Sequence, residues 1–304
     1  MTNCMQTVGP ELAKLLPAAD IRADVPMSEY TSFRIGGPCD WMVTPPDEES
    51  FCRVLGYVSE AEIPFFVLGN GSNLLCSDAG YRGVVIRTAK LDALTIADNV
   101  VTVGAGLSMT RTAFAAANAS LTGLEFAHGI PGSIGGGVVM NAGAYGGELA
   151  TCVSLVFCAD ANGNRCEIRG EDAAFGYRAS RFQAESLIVT GAELRLQVGE
   201  KEEIKATMAD LAERRRSKQP LDLPSAGSVF KRPPNGFAAA MIDECGLKGC
   251  RVGGACVSEK HAGFIVNLGG ATCADVLQLV ALIKERVLAN CGTELECEIK
   301  RLGE

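Results

Sequence analysis

Residues 123–148 read GLEFAHGIPGSIGGGVVMNAGAYGGE, and nine of them are glycine. Glycine lets a backbone turn where a Cβ would clash, and it lets a ligand come within hydrogen-bond reach of peptide N–H groups. Such a loop serves either tight packing or the cradling of an anionic group by backbone amides. A second loop, LGNGSN at Leu68–Asn73, favours the second use. Two amide-rich loops in one chain suit an extended dinucleotide better than a single phosphate. Neither loop carries GxGxxG or the GxxxxGK[ST] signature, so a Rossmann or P-loop reading has little support.

The elements that must hold these loops are legible in the hydrophobic period. DEESFCRVLGYV places Phe51, Val54, Leu55 and Val58 at helical spacing. PFFVLG and GVVIRT are short apolar runs of strand character on either side of LGNGSN, so the loop falls at a strand end, where ligands of α/β sheets bind. Upstream, residues 10–20 read as amphipathic and Ser32–Trp41 as a glycine-broken strand. Residues 97–108 and 151–198 are rich in strand-like runs, with LSMTRTAFAAANAS a helix between them. VGEKEEIKATMADLAERRRSK is a charged helix with Ile204, Met208 and Leu211 on one face, and a domain boundary is expected near residue 200. The last third holds a helix near Ala238–Cys245 stopped by Gly246 and a strand at HAGFIVNLGG. There follows a helix capped by Thr272 and Asp275, with Val276, Leu277, Val280, Ile283 and Val287 as its core stripe and Gly292 as its stop. ELECEIKRLG reads as a closing strand.

The 304 residues carry a net charge of −8, which argues against nucleic acid or an anionic membrane as the main partner. The thirteen cysteines are scattered without a CxxC, and Cys245, Cys250 and Cys256 lack zinc spacing, so no metal is expected and the thiols read as reduced and mostly buried. With only two histidines, His128 and His261, far apart, a Ser-His-Asp hydrolase is not supported and both are taken as structural. No signal peptide or long apolar run is seen, so a cytoplasmic protein, monomeric by default, is expected.

Five blocks in order, LGNGSNLLCSDAGYRGVVI, GLEFAHGIPGSIGGGVVMNAGAYGGE, FGYRASRF, PSAGSVFKRP and GLKGCRVGGACVSEKHAGFIVN, resemble the UDP-N-acetylenolpyruvoylglucosamine reductases. The resemblance runs from about Ser32 to Gly303. The short connection after FGYRASRF, with no long tyrosine-bearing insertion, is similar to the type II branch. The resemblance implies an α+β fold of three domains: 1–90 and 91–200 forming an FAD module of the vanillyl-alcohol-oxidase (PCMH) type over about 32–198, and 201–304 closing on a UDP-sugar. It implies non-covalent FAD, NADPH as co-substrate, and reduction of UDP-N-acetylglucosamine enolpyruvate to UDP-N-acetylmuramate for peptidoglycan. The FAD diphosphate would lie on Leu68, Gly69, Asn70, Gly71, Ser72 and Asn73, and on Ile130, Pro131, Gly132, Ser133, Gly136 and Gly137, with Asn141 and Gly143 nearby.

The same resemblance assigns three catalytic residues. Hydride addition at the enol-ether C3 puts enolate charge on C2 and the carboxylate, and a cation with a fixed fork suits that charge. Arg178 in FGYRASRF matches the cation, and Ser228 in PSAGSVF matches the proton donor to C2. Glu298 matches a glutamate that polarises the enolate and would need a raised pKa to act as a donor. Glu294 and Glu296 share its strand parity, and the E-I-K-x-x-G context singles out Glu298. Lys218, Lys231 and Arg232 are candidates for the UDP diphosphate, whereas Arg214–Arg216 reads as a solvated helix end. Two other readings stand beside this one: an oxidase on the same FAD module, and a nucleotide-sugar-binding protein that has lost catalysis.

Overall fold

The computed structural model describes residues 2–303, with side chains from residue 7 onward. The chain divides into two compact units. One is built from the segment ending at Val25 with Asp40–Asn70 and Gly83–Glu213, the other from Pro26–Cys39, Gly71–Arg82 and Arg214–Glu304. The LGNGSN loop therefore changes unit between Asn70 and Gly71.

The first unit holds two hydrophobic cores. Helices Thr2–Leu15 and Glu48–Glu60 bury Val8, Leu12, Phe51, Val54, Leu55 and Val58 in one of them. Asp47 caps the second helix by accepting the Ser50 amide at 2.7 Å, and the expected spacing is the buried face. The associated sheet runs Ile21–Pro26, Pro38–Val43, Tyr81–Arg87, Phe65–Leu68, and its last pair is parallel, with Phe65 opposite Val84. The strand expected at Ser32–Trp41 starts later, at Pro38, because Met27–Glu29 is a 3₁₀ turn and Arg34 takes a left-handed φ of 55°.

The other core of this unit lies under a five-stranded antiparallel sheet ordered Arg165–Arg169, Val153–Ala159, Ile188–Arg195, Val100–Gly104, Leu94–Ala97. Helix Met109–Asn118, capped by Ser108, packs Met109, Ala113, Ala116 and Ala117 into it. The helix expected over 198–218 forms as Lys201–Lys218, three residues shorter at its start, burying Ile204 and Met208, while Leu211 is half-buried.

In the second unit an antiparallel sheet runs Ser225–Ser228, Phe264–Asn267, Ala255–Val257, Arg251–Val252. Helices Ala238–Glu244 and Cys273–Cys291 supply Ile242, Val276, Leu279, Val280, Ile283 and Val287 to its core. Leu279 is fully buried and Leu277 only partly, so the stripe is one position wider than the spacing suggested. Thr272 and Asp275 form a reciprocal capping box, and Gly292 stops the helix at φ 64°. Two distant segments are tied in by side chains. The buried Asn267 amide donates to the Phe33 carbonyl at 3.1 Å. The Asp78 carboxylate accepts the Cys273 and Ala274 amides at 2.7 and 3.0 Å.

Candidate active site

The glycine-rich stretch only partly stays a loop. Residues 134–139 form a short helix, Ile134–Val139, whose cap Ser133 is buried and accepts the Gly136 amide at 3.4 Å. The Ile134 and Gly135 amides donate to the Leu107 and Ala105 carbonyls at 2.8 Å. Several glycines here are spacing devices. A Cβ on Gly135 would lie 2.8 Å from that of Ala105, and one on Gly137 would lie 2.7 Å from the Met109 sulfur. Gly136 is different: it is exposed, and its Cβ would meet only the Ser133 hydroxyl at 3.6 Å.

The second loop meets the first. A Cβ on Gly69 would stand 2.4 Å from the Ser133 oxygen, so the LGNGSN and GIPGS turns touch at these two residues. Among the described residues, the amides of Gly69, Asn70, Gly71, Ser72 and Asn73 donate to no protein acceptor. These are five consecutive backbone N–H groups, with Gly71 at φ 61°, and runs of amides are the kind of donor that binds anionic oxygens. This donor set fits the diphosphate of a dinucleotide such as FAD.

Arg178 is the second tip residue of a tight turn, in which Gly176 and Ala179 exchange backbone hydrogen bonds of 3.0 and 3.3 Å. Its φ of 54° is left-handed, a conformation that costs free energy for a residue with a Cβ and that its surroundings must hold. Those surroundings are visible. The buried Asn141 donates to the Gly176 carbonyl at 3.0 Å and accepts the Ala150 amide at 2.9 Å. Gln183 donates to the Val139 and Arg178 carbonyls at 2.8 and 3.2 Å. The Arg178 guanidinium donates to the Gly143 carbonyl at 3.2 Å and lies 5.1 Å from the centre of the exposed Tyr177 ring. Ile130, Pro131 and Gly132 lead into the Ser133 cap, with Gly132 accepting the Met109 amide at 3.0 Å.

Ser228 sits on a bulge. Ser225 pairs with Val266 and Ser228 with Phe264, so the strand carries one extra residue, and Gly227 absorbs it at φ 76°. A bulge of this kind re-aims a side chain, and Ser228 is exposed between buried Ala226 and Val229. Beyond it the chain runs antiparallel to residues 296–298. The Glu298 amide donates to Val229 at 2.8 Å, Phe230 bridges Cys297, and the Lys231 amide donates to Glu296 at 2.9 Å. The expected closing strand is therefore split: residues 296–298 pair here, and only Lys300–Leu302 pairs in parallel with Leu74–Cys76. Asn73 binds both halves, donating to the Glu298 carbonyl at 3.2 Å and accepting the Lys300 amide at 2.9 Å. Ser32 adds a brace, with its amide on the Gly71 carbonyl and its hydroxyl on the Ser225 carbonyl at 2.6 Å. The sequence reading did not single out Ser32 or the tie between Asn73 and Glu298; both are polar contacts across long separations.

The three candidate phosphate cations have different surroundings. Lys231 pairs with Glu296, Arg232 stacks 3.9 Å from the centre of the exposed Phe237 ring, and Lys218 is exposed at the end of its helix. The histidines pack: His128 edge-on to Phe114 at 4.7 Å, and His261 on Phe264 at 4.9 Å, where burial lowers its pKa. Twelve described cysteines are unbridged, and burial pushes the Cys152 thiol up to about 12. Among the described residues no group of three or more metal-ligating side chains comes together, and no helix is long and apolar enough to cross a membrane.

Residues 39–169 match the model of an FAD binding domain, and residues 219–302 match that of the UDP-N-acetylenolpyruvoylglucosamine reductase C-terminal domain. A reductase of that name from Syntrophomonas wolfei is 48% identical over 97% of this chain and 99% of its own. The chain belongs to the UDP-N-acetylenolpyruvoylglucosamine reductase family. The reductase of Clostridioides difficile is 46% identical over 98% of this chain and 99% of its own. The crystal structure of the Thermus caldophilus reductase superposes with a TM-score of 0.80 at 38% identity, covering 93% of this chain and all of that one. Membership makes the chain an oxidoreductase with an α+β architecture that joins an FAD-binding domain to this reductase's C-terminal domain.

Proposed function

We propose that the protein reduces UDP-N-acetylglucosamine enolpyruvate to UDP-N-acetylmuramate at the expense of NADPH. The observation that supports this reading is the Glu298 amide on the Val229 carbonyl, which sets Glu298 against the residue that follows Ser228, in a family member. FAD, when bound, supplies the hydride relay from NADPH to C3 of the enol ether. The open amides of Gly69–Asn73 hold its diphosphate, with Ile130–Ser133, Gly136 and Gly137 forming the second loop and Asn141 and Gly143 lining it. Residues 1–90 and 91–200 serve the cofactor, and 201–304 the sugar nucleotide.

Arg178 binds the substrate carboxylate through its guanidinium fork and stabilises the charge that develops there as C3 is reduced. Ser228 delivers its hydroxyl proton to C2. A serine is a weak acid, but an enolate carbon is a strong base, so placement decides the rate. Glu298 polarises the enolate beside it. Lys218, Lys231 and Arg232 neutralise the UDP diphosphate by charge-assisted hydrogen bonds. Incubating the FAD-loaded protein with NADPH and the enolpyruvyl UDP-sugar tests this directly. Stoichiometric formation of the lactyl ether, read by mass spectrometry, is expected; NADPH consumed with the enol ether unchanged would contradict it.

A further inference from the structure

The side chain of Lys231 already has an anion. Glu296 stands opposite it across the strand pair, their backbones joined by the Lys231 amide on the Glu296 carbonyl at 2.9 Å and their side chains by an ion pair. The ammonium side is 28% exposed and the carboxylate side 72%, so the carboxylate is on the solvent side and can be displaced. Lys231 holds the Glu296 carboxyl below its ordinary pKa, and Lys300 and Lys284 act in the same direction. The backbone bond between Lys231 and Glu296 keeps the two side chains opposite each other. Exposed pairs of this kind are weak, which is what an exchangeable clamp requires.

We propose that Glu296 is a positioning residue that competes with nucleotide diphosphates for Lys231, occupying the ammonium between ligands so that one diphosphate can leave and the next can enter. The proposal rests on Lys231 as a diphosphate cation in the reaction above. A chain that takes two diphosphate-bearing ligands in turn gains from a cation that does not hold either one too long, and an internal carboxylate supplies that restraint without lowering the local positive charge elsewhere.

The probe is UDP, titrated calorimetrically into the FAD-loaded enzyme. E296Q, which keeps the shape and removes the charge, is expected to bind UDP about two- to fivefold more tightly. The gain should vanish in the K231M background, and it should shrink as salt rises. In turnover, E296Q should lower KM for the UDP-sugar while kcat stays level or falls with slower release. Weaker UDP binding by E296Q would overturn the proposal, since Glu296 would then orient Lys231 for the ligand. A gain that survives in K231M would overturn it as well. Unchanged UDP affinity in K231M would remove Lys231 from the site and the proposal with it, while the reductase reaction is judged separately by conversion of the enol ether.

Discussion

The carbonyl of Val229 accepts the amide of Glu298 at 2.8 Å, and this one bond sets the register between two residues far apart in sequence, Ser228 and Glu298. Ser228 immediately precedes Val229 on a bulged strand, and Glu298 faces Val229 on the partner. The backbones of the proposed proton donor and the proposed polarising carboxylate are thus held in register by a backbone hydrogen bond. Asn73, hydrogen-bonded to the Glu298 carbonyl, extends the same framework to the amide-rich loop.

Ser228→Ala removes the proposed donor and leaves the bulge, which Gly227 carries. Reduction of the flavin by NADPH should proceed nearly as in wild type. Oxidation by the enolpyruvyl UDP-sugar should slow by about a hundred- to ten-thousand-fold. Rapid-mixing measurements separate the two halves, and equal losses in both would reassign Ser228.

Glu298→Gln keeps the amide on Val229 and alters only the carboxylate. The injury should again fall on the sugar-nucleotide half, with flavin reduction spared. Unaltered turnover in this variant would move the role to another carboxylate, and Glu296→Gln is the control.

Arg178→Ala should lower kcat for enol-ether reduction by about a hundred- to a thousandfold, the typical loss for one donor aimed at developing charge. Arg178→Lys should recover only part of it, because an ammonium lacks the planar fork. Arg232→Ala is expected to act differently, raising KM for the UDP-sugar more than it lowers kcat, since diphosphate contacts are alike in ground and transition states. Steady-state kinetics on the three variants distinguishes these patterns.

Asp275 gives a pH signature of folding. Its carboxylate accepts the Thr272 and Gly254 amides at 3.0 and 3.2 Å, and these two bonds, the first the larger, hold its pKa below the ordinary 3.8. A carboxyl depressed by folding stabilises the fold above its unfolded value and loses that contribution as pH falls through the folded one. Asp275→Asn should therefore unfold at lower urea than wild type at neutral pH, with the gap closing below pH 3.8. Asp78→Ala, which strips the carboxylate from the Cys273 and Ala274 amides, should cost about 1 kcal/mol, the usual loss for a helix cap. Urea midpoints measure both.

Local signals made much of this readable in advance. Helices Glu48–Glu60 and Cys273–Cys291 were legible because period and cap agree at Asp47, Thr272, Asp275 and Gly292. The strands beside LGNGSN were legible from their apolar runs, whereas the roles of Arg178, Ser228 and Glu298 are proposals that come from the family resemblance. What stayed hidden is non-local. Gly227 becomes a bulge only against Phe264, and the closing strand is split because residues 296–298 pair with Val229–Lys231 while Lys300–Leu302 pairs with Leu74–Cys76. Strand parity gave Glu294, Glu296 and Glu298 equal standing, whereas the pairing partner separates two of them: Glu296 meets Lys231, and Glu298 meets Val229. Pro26–Cys39 and Gly71–Arg82 join the C-terminal unit through Asn267 and Asp78, through the Ser32 hydroxyl on Ser225 and through the pairing of Leu74–Cys76 with Lys300–Leu302, long-range ties that no periodicity announces.

The most direct test of the account is anaerobic rapid mixing of the FAD-loaded protein, followed through its visible flavin absorbance. NADPH should bleach the flavin, and UDP-N-acetylglucosamine enolpyruvate should then restore the colour in the absence of oxygen. A flavin that is bleached by NADPH and recovers only when oxygen is admitted would contradict the reductase reaction and leave Arg178, Ser228 and Glu298 without the roles assigned to them.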